Sequence, residues 1–239
     1  MAILVVQHSQ TCRPGRLGLT LRDHAFKLDI RRVDLGDALP SDLDEVDGVI
    51  SLGGPQNVDE DHAWLEVERE LLRAAHAAQL PIVGICLGHE LLAQALGGEV
   101  GRSTTPEAGF VDVDILPPGH TDTLLSGIAW TNPQFAHHAY EVTAPPPGAV
   151  VLAKSAHCAV QAFKVGLRSY GFQYHFEADQ PIMQAIMREA SSNPAHDVDD
   201  AGMSSQLERA YPTFARLADR LCVNIATCLI PRVASLMRT

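Results

Sequence analysis

The stretch Leu80 to Gly98, LPIVGICLGHELLAQALGG, constrains this chain more than any other. A short apolar run, Ile82-Val83-Gly84-Ile85, has the length of a buried strand and stops at Cys86. An apolar helical pattern (Leu91, Leu92, Ala95, Leu96) begins at once, and Gly97-Gly98 closes it as a C-cap. Gly84 and Gly88 flank the cysteine as Gly-x-Cys-x-Gly, the strand-turn-helix pattern of a nucleophile elbow with sulfur in place of oxygen. The glycines are expected to allow a sharp turn that leaves the Cys86 side chain exposed. The following helix is expected to aim its unpaired N–H groups and partial positive charge at the thiol. A buried structural cysteine at a strand end is the alternative; the glycines and the immediate helix favour a nucleophile.

The rest of the chain supplies the frame. Ala2 to Gln7 is a continuous apolar run, suited to a strand buried on both faces of a parallel sheet. Residues 15–26 carry a helical pattern, Leu28 to Val33 a second strand, and acid-rich Asp34 to Asp47 a connection with at most a short helix. Gly48 to Leu52 is a third buried strand ending in Gly53-Gly54-Pro55, and a helix follows over roughly 62–79. This alternation predicts an α/β fold, an open, mostly parallel twisted sheet flanked by helices. Ligands in such folds gather at the carboxyl ends of strands, where Cys86 and Gly53-Gly54 both fall.

After Gly98 the texture changes. Phe110 to Ile115, Tyr140 to Thr143, Val150 to Lys154 and Cys158 to Val165 read as antiparallel hairpins that extend the sheet. Gly171 to His175 is another strand, and a Pro-started helix follows at 181–190. Asn193 to Gly202 reads as a polar loop, and Gln206 to Met237 as a long helix interrupted near Pro212 and Pro231. The 239 residues are expected to form one domain with a C-terminal helical extension over 202–239.

Composition excludes several function classes. A net charge of −11 argues against a nucleic-acid surface. No apolar run approaches a membrane span, and the N-terminus reads as a first strand, not a signal peptide. Five cysteines without a disulfide-like framework or a C-x-x-C pair point to free thiols in a reducing cytoplasm.

A cysteine nucleophile needs a base and an orienter for that base. In an extended segment, residues i and i+2 share a face, so Glu177 would fix the tautomer of His175; a polar strand end facing solvent is the other reading. Together, Gly53-Gly54-Pro55, Gly84-Ile-Cys86-Leu-Gly88-His89 and Tyr174-His175-Phe176-Glu177 resemble the three signature blocks of class I (triad) glutamine amidotransferases, in order and spacing. The resemblance spans roughly residues 1–190. Within the class it is nearest the glutaminase domain of GMP synthetase and its stand-alone relatives, which include gamma-glutamyl peptidases.

That resemblance implies a flavodoxin-like fold with a Cys86-His175-Glu177 triad. Cys86 would attack a gamma-glutamyl amide and form a thioester, with His175 as base and then acid, and Glu177 orienting it. Backbone N–H groups of Gly54 and Leu87 would form the oxyanion hole, and Gly53, Glu90, Glu107 and His138 would border the substrate. No cofactor and no metal is implied. Adjacent His137 and His138 point oppositely on a strand, so one is expected to face the cleft and one to be structural. Glu107 is expected either near substrate or as a solvated loop carboxylate. Two departures stand out: Glu90 replaces the Gln usual four residues after the nucleophile, and Phe176 replaces a common proline. Glu90 turns attention from glutamine toward other small gamma-glutamyl compounds. The expected activities are glutamine hydrolysis with ammonia passed to a separate synthase, or a stand-alone gamma-glutamyl hydrolase or peptidase. A non-catalytic binding relative and a neighbouring cysteine-histidine hydrolase are the other readings. The C-terminal helix lies outside the resemblance; packing onto its own sheet is the preferred expectation, an interface such as a homodimer the alternative.

Overall fold

A computed structural model describes residues 2–191 and 200–230. The sheet has nine strands in the order β2-β1-β3-β4-β9-β8-β7-β5-β6. β1 (Ala2–Gln7), β2 (Leu28–Arg32), β3 (Val46–Ser51), β4 (Ile82–Ile85) and β9 (Ser169–Phe172) run parallel. β8 (Ala162–Val165), β7 (Val150–Lys154), β5 (Glu99–Ile115) and β6 (Thr131–Ala144) continue it antiparallel. Helices α1 (Gly15–Asp23), α2 (Ala63–Ala77) and α3 (Leu87–Ala95) precede a single turn, α4 (Pro117–His120); α5 (Gln180–Ser191) and α6 (Asp200–Asn224) close the chain. β1 and β4 are fully buried over nearly their whole length, as their unbroken apolar runs require. α3 ends as expected at Gly97-Gly98, whose N–H groups return to the carbonyls of Gln94 (3.1 Å) and Ala93 (2.8 Å).

Four expectations are corrected. β5 and β6 are far longer than their alternating parts, 17 and 14 residues. A break in register between Arg102 and Glu107 interrupts the pattern in β5. Only Ala162–Val165 of the segment from Cys158 is strand, because a hydroxyl-capped turn holds Cys158: its N–H donates to Ser155 Oγ at 3.0 Å. β9 stops at Phe172, three residues before His175. Finally, α6 already begins at Asp200, inside the expected polar loop, and runs unbroken through Pro212. The remainder of that loop, 193–199, and the region of Pro231 lie outside the described residues. α6 packs on the molecule itself: buried Phe214, Leu217 and Leu221 line its inner face, and Phe214 meets Phe110 of β5 edge-on at 5.6 Å. No helix among the described residues is long and apolar enough to cross a membrane.

Candidate active site

β4 delivers Cys86 to the carboxyl edge of the sheet. Its backbone is turned sharply, φ 52° and ψ −110°, a conformation that costs a non-glycine residue about 1–3 kcal/mol. Hydrogen bonds hold the turn: Cys86 N–H donates to the Phe172 carbonyl (2.8 Å), and Glu90 N–H to the Cys86 carbonyl (3.0 Å). The cysteine itself takes the strained turn; the flanking glycines serve close approach instead. A Cβ on Gly84 would stand 2.4 Å from the Gly88 carbonyl oxygen, and one on Gly88 would stand 2.1 Å from that of Ser51. Contrary to expectation, Cys86 is 6% exposed, on the wall of a cavity of about 590 Å³. Burial pushes its thiol well above the usual range, reinforced by Glu90; the Leu87 N–H at the start of α3 works the other way and is outweighed. The thiol donates to the His137 carbonyl at 3.7 Å.

His175 and Glu177 meet because the chain leaves the sheet, not because a strand alternates. His175 N–H donates to the Phe135 carbonyl of β6 (2.8 Å), and Ala178 N–H folds back to the His175 carbonyl (3.3 Å). This turn sets His175 Nδ1 2.8 Å from Glu177 Oε1, both side chains buried. With Nδ1–H donated to the carboxylate, Nε2 carries the basic lone pair. The Arg16 N–H, in the first turn of α1, donates to the Glu177 carbonyl at 2.9 Å and fixes the turn from behind. Gly53 is wedged against the pair: a Cβ there would lie 2.6 Å from His175 Cε1 and 3.4 Å from Cys86 Cβ. Its smallness lets imidazole and thiol share one pocket.

Gly54, Leu87, Glu90, Glu107 and His138 all border the same cavity as Cys86 and His175. Glu90 is buried, accepts from Gln173 Nε2 at 3.0 Å, and burial pushes its carboxyl up to about 7. Glu107 is no solvated loop carboxylate. It lies in β5, 4% exposed, and accepts from His138 Nε2 (3.0 Å), Ser155 Oγ (2.6 Å) and Gln161 Nε2 (2.6 Å). Burial opposes its charge, yet these donors, His138 foremost, hold it below its ordinary value. His138 Nδ1 faces the Tyr140 carbonyl at 2.8 Å, so both its ring nitrogens are engaged and the ring is fixed in place. Among the described residues no group of three or more ligating side chains could hold a metal. Sequence reasoning missed Gln173, Ser155 and Gln161; Gln173 stands two residues before His175, and nothing in the sequence points to the other two.

The profile described as "Glutamine amidotransferase class-I" matches residues 18–189. A GMP synthase [glutamine-hydrolyzing] from Aeropyrum pernix is 40% identical over 145 residues, 60% of this chain; the chain spans only 26% of that relative. The glutamine amidotransferase-like protein YfeJ of Salmonella typhimurium is 28% identical over 201 residues, covering 82% of this chain and 83% of YfeJ. The crystal structure of a glutamine amidotransferase from Methylobacillus flagellatus superposes with a TM-score of 0.80 at 29% identity, covering 93% of each chain. With a profile match over most of its length and the same flavodoxin-like architecture, the chain belongs to the class-I glutamine amidotransferase family.

Proposed function

We propose that this protein hydrolyses a gamma-glutamyl amide through a thioester on Cys86, with glutamine as the default substrate. One observation carries the reading: the strained Cys86 turn and the buried His175–Glu177 pair meet across Gly53, with Cys86 and His175 on the wall of one cavity. His175 Nε2 takes the thiol proton as Sγ attacks the gamma-carbonyl carbon. The oxyanion is met by the N–H groups of Gly54 and Leu87, each worth about 2.7–4 kcal/mol in such sites. The imidazolium, steadied by Glu177, then protonates the departing amine, leaving a gamma-glutamyl thioester. Water, deprotonated by His175, adds to the thioester and expels the thiolate, which recovers its proton. Burial of a neutral thiol suits this order, since the proton leaves only when a carbonyl carbon is in place.

A second reading, a stand-alone hydrolase or peptidase acting on larger gamma-glutamyl compounds, is favoured by the cavity and by Glu90. About 590 Å³ lies within the usual range of ligand pockets, about 300–1,000 Å³, and leaves room for a leaving group larger than ammonia. If ammonia is the product put to use, a separate synthase must accept it; the likeness to one part of a longer GMP synthase supports that arrangement. Incubation with glutamine and a panel of gamma-glutamyl dipeptides, wild type beside Cys86→Ala, decides between them. Cys86-dependent ammonia release from glutamine supports the first reading, and dipeptide cleavage with little glutamine turnover the second. Silence on every substrate, with no trapping of Cys86 by a reactive glutamine analogue, would leave a binding protein.

A further inference from the structure

A second buried histidine–carboxylate pair lies against the Gly53-Gly54 loop. His8, at the end of β1, is fully buried; its Nε2 stands 2.7 Å from Glu68 Oε2 and its Nδ1 3.3 Å from the Gly53 carbonyl oxygen. Glu68, on α2, is also fully buried, and its other oxygen accepts from Ser51 Oγ at 2.6 Å. Gln56 Nε2 donates to the His8 carbonyl at 3.0 Å, and the His8 ring stacks on Trp64 with centroids 4.9 Å apart. Both ring nitrogens therefore face acceptors, and with Glu68 a carboxylate the ring must donate from each. Burial opposes a charge on His8, but contact with Glu68 outweighs it and raises the imidazole above its ordinary value.

The consequence follows from peptide geometry. The Gly53–Gly54 bond is trans, as no cis peptide occurs among the described residues, so the Gly53 C=O and Gly54 N–H point in opposite directions. With the carbonyl drawn toward His8, the N–H is aimed to the opposite side, where Gly54 borders the Cys86 cavity. No backbone carbonyl among the described residues takes that N–H. We infer that His8, held by Glu68 and Ser51, is a positioning residue that orients the Gly53–Gly54 peptide so the Gly54 N–H meets the developing oxyanion. This inference rests on the thioester reading above. It assigns a chemical task to three buried polar groups that the triad does not use.

The test compares His8→Leu with His8→Asn. Both remove the contact with Glu68, but the Asn amide places a donor where Nδ1 stood, so the pair isolates the bond to Gly53. With the best substrate of the panel, His8→Leu is expected to lower kcat about 10²-fold, as loss of an oxyanion donor does. KM should stay within a few-fold, and His8→Asn should recover at least tenfold of the loss. Alkylation of Cys86 by iodoacetamide, which forms no oxyanion, should be unchanged in both. Equal loss in the two variants, a change confined to KM, slowed alkylation in parallel with kcat, or full activity in His8→Leu would overturn the inference. If the wild type cleaves no gamma-glutamyl substrate, the thioester reading has failed by itself. Crystal structures of the two variants then decide the orientation: a Gly53 carbonyl that keeps its direction in His8→Leu overturns the inference, and one that turns away in Leu but not in Asn supports it.

Discussion

Cys86 and Glu90 occupy successive turns of one element, and burial acts on both in the same sense. Both are pushed toward their neutral forms, the thiol well above its usual range and the Glu90 carboxyl to about 7. A partly protonated Glu90 can donate a hydrogen bond, as the amide usual at this position would. Above neutrality it places a negative charge beside the thiol and, in the proposed reaction, near the carboxylate of a gamma-glutamyl substrate. Glu90→Gln is therefore expected to raise glutamine turnover, most strongly above pH 7, in an ammonia-release assay; unchanged or lower activity contradicts this account. The same residue has a signature in stability. Its folded carboxyl is raised from about 4.5 to about 7, so the folded state holds that proton more tightly than the unfolded chain. Stability contributed below pH 4.5 is lost as pH rises through 7, on the order of 3 kcal/mol. Urea titrations at pH 5 and pH 8 should show this fall in the wild type and not in Glu90→Gln. In the proposed mechanism, Glu177→Gln should lower kcat by about 10²–10⁴-fold, by analogy with loss of the carboxylate behind a catalytic histidine. Residue identities were legible in the sequence wherever a motif carried them. The burial of Glu107 and its three contacts, with His138, Ser155 and Gln161, were not, because those partners come from β6 and from the β7–β8 connection, both distant from Glu107 in sequence.

The strand-turn-helix element was legible for a similar reason: Gly84, Cys86 and Gly88 are close in sequence, and their spacing encodes the turn. What the glycines do was legible only in part, since Gly84 makes room for the Gly88 carbonyl within the element while Gly88 makes room for Ser51 of β3. Gly88→Ala forces a Cβ against the Ser51 carbonyl and is expected to cost about 3 kcal/mol or to prevent folding, measured by urea denaturation. The parallel half of the sheet was readable because both faces are buried and the strands are continuous apolar runs. β5 was not: its exposed and buried residues alternate only after Glu107, and the four residues before it break register. The His175–Glu177 pair was expected from strand alternation and arises from a turn; spacing pointed to the right contact through the wrong geometry.

Across the whole molecule, the C-terminal helix is less an appendage than a wall of the core. Phe214, Leu221 and Cys222 share one apolar cluster with β1, β5 and Cys86. Arg16, whose backbone N–H fixes Glu177, also bonds to Asp219 (2.8 Å) and Tyr211 of α6. Through Arg16 the helix thus reaches the turn that carries Glu177. Phe214→Ala, in the fully buried ring facing Phe110, should lower stability by about 3–5 kcal/mol in a single cooperative transition. A loss below about 1 kcal/mol would show that α6 docks loosely. The proposed reaction runs through a covalent intermediate at Cys86. Acid quenching of the protein during turnover, followed by peptide mass spectrometry, tests it most directly. The mass of one gamma-glutamyl group on the peptide containing Cys86, absent in Cys86→Ala, is the predicted result; turnover that persists in Cys86→Ala with no such adduct would contradict it.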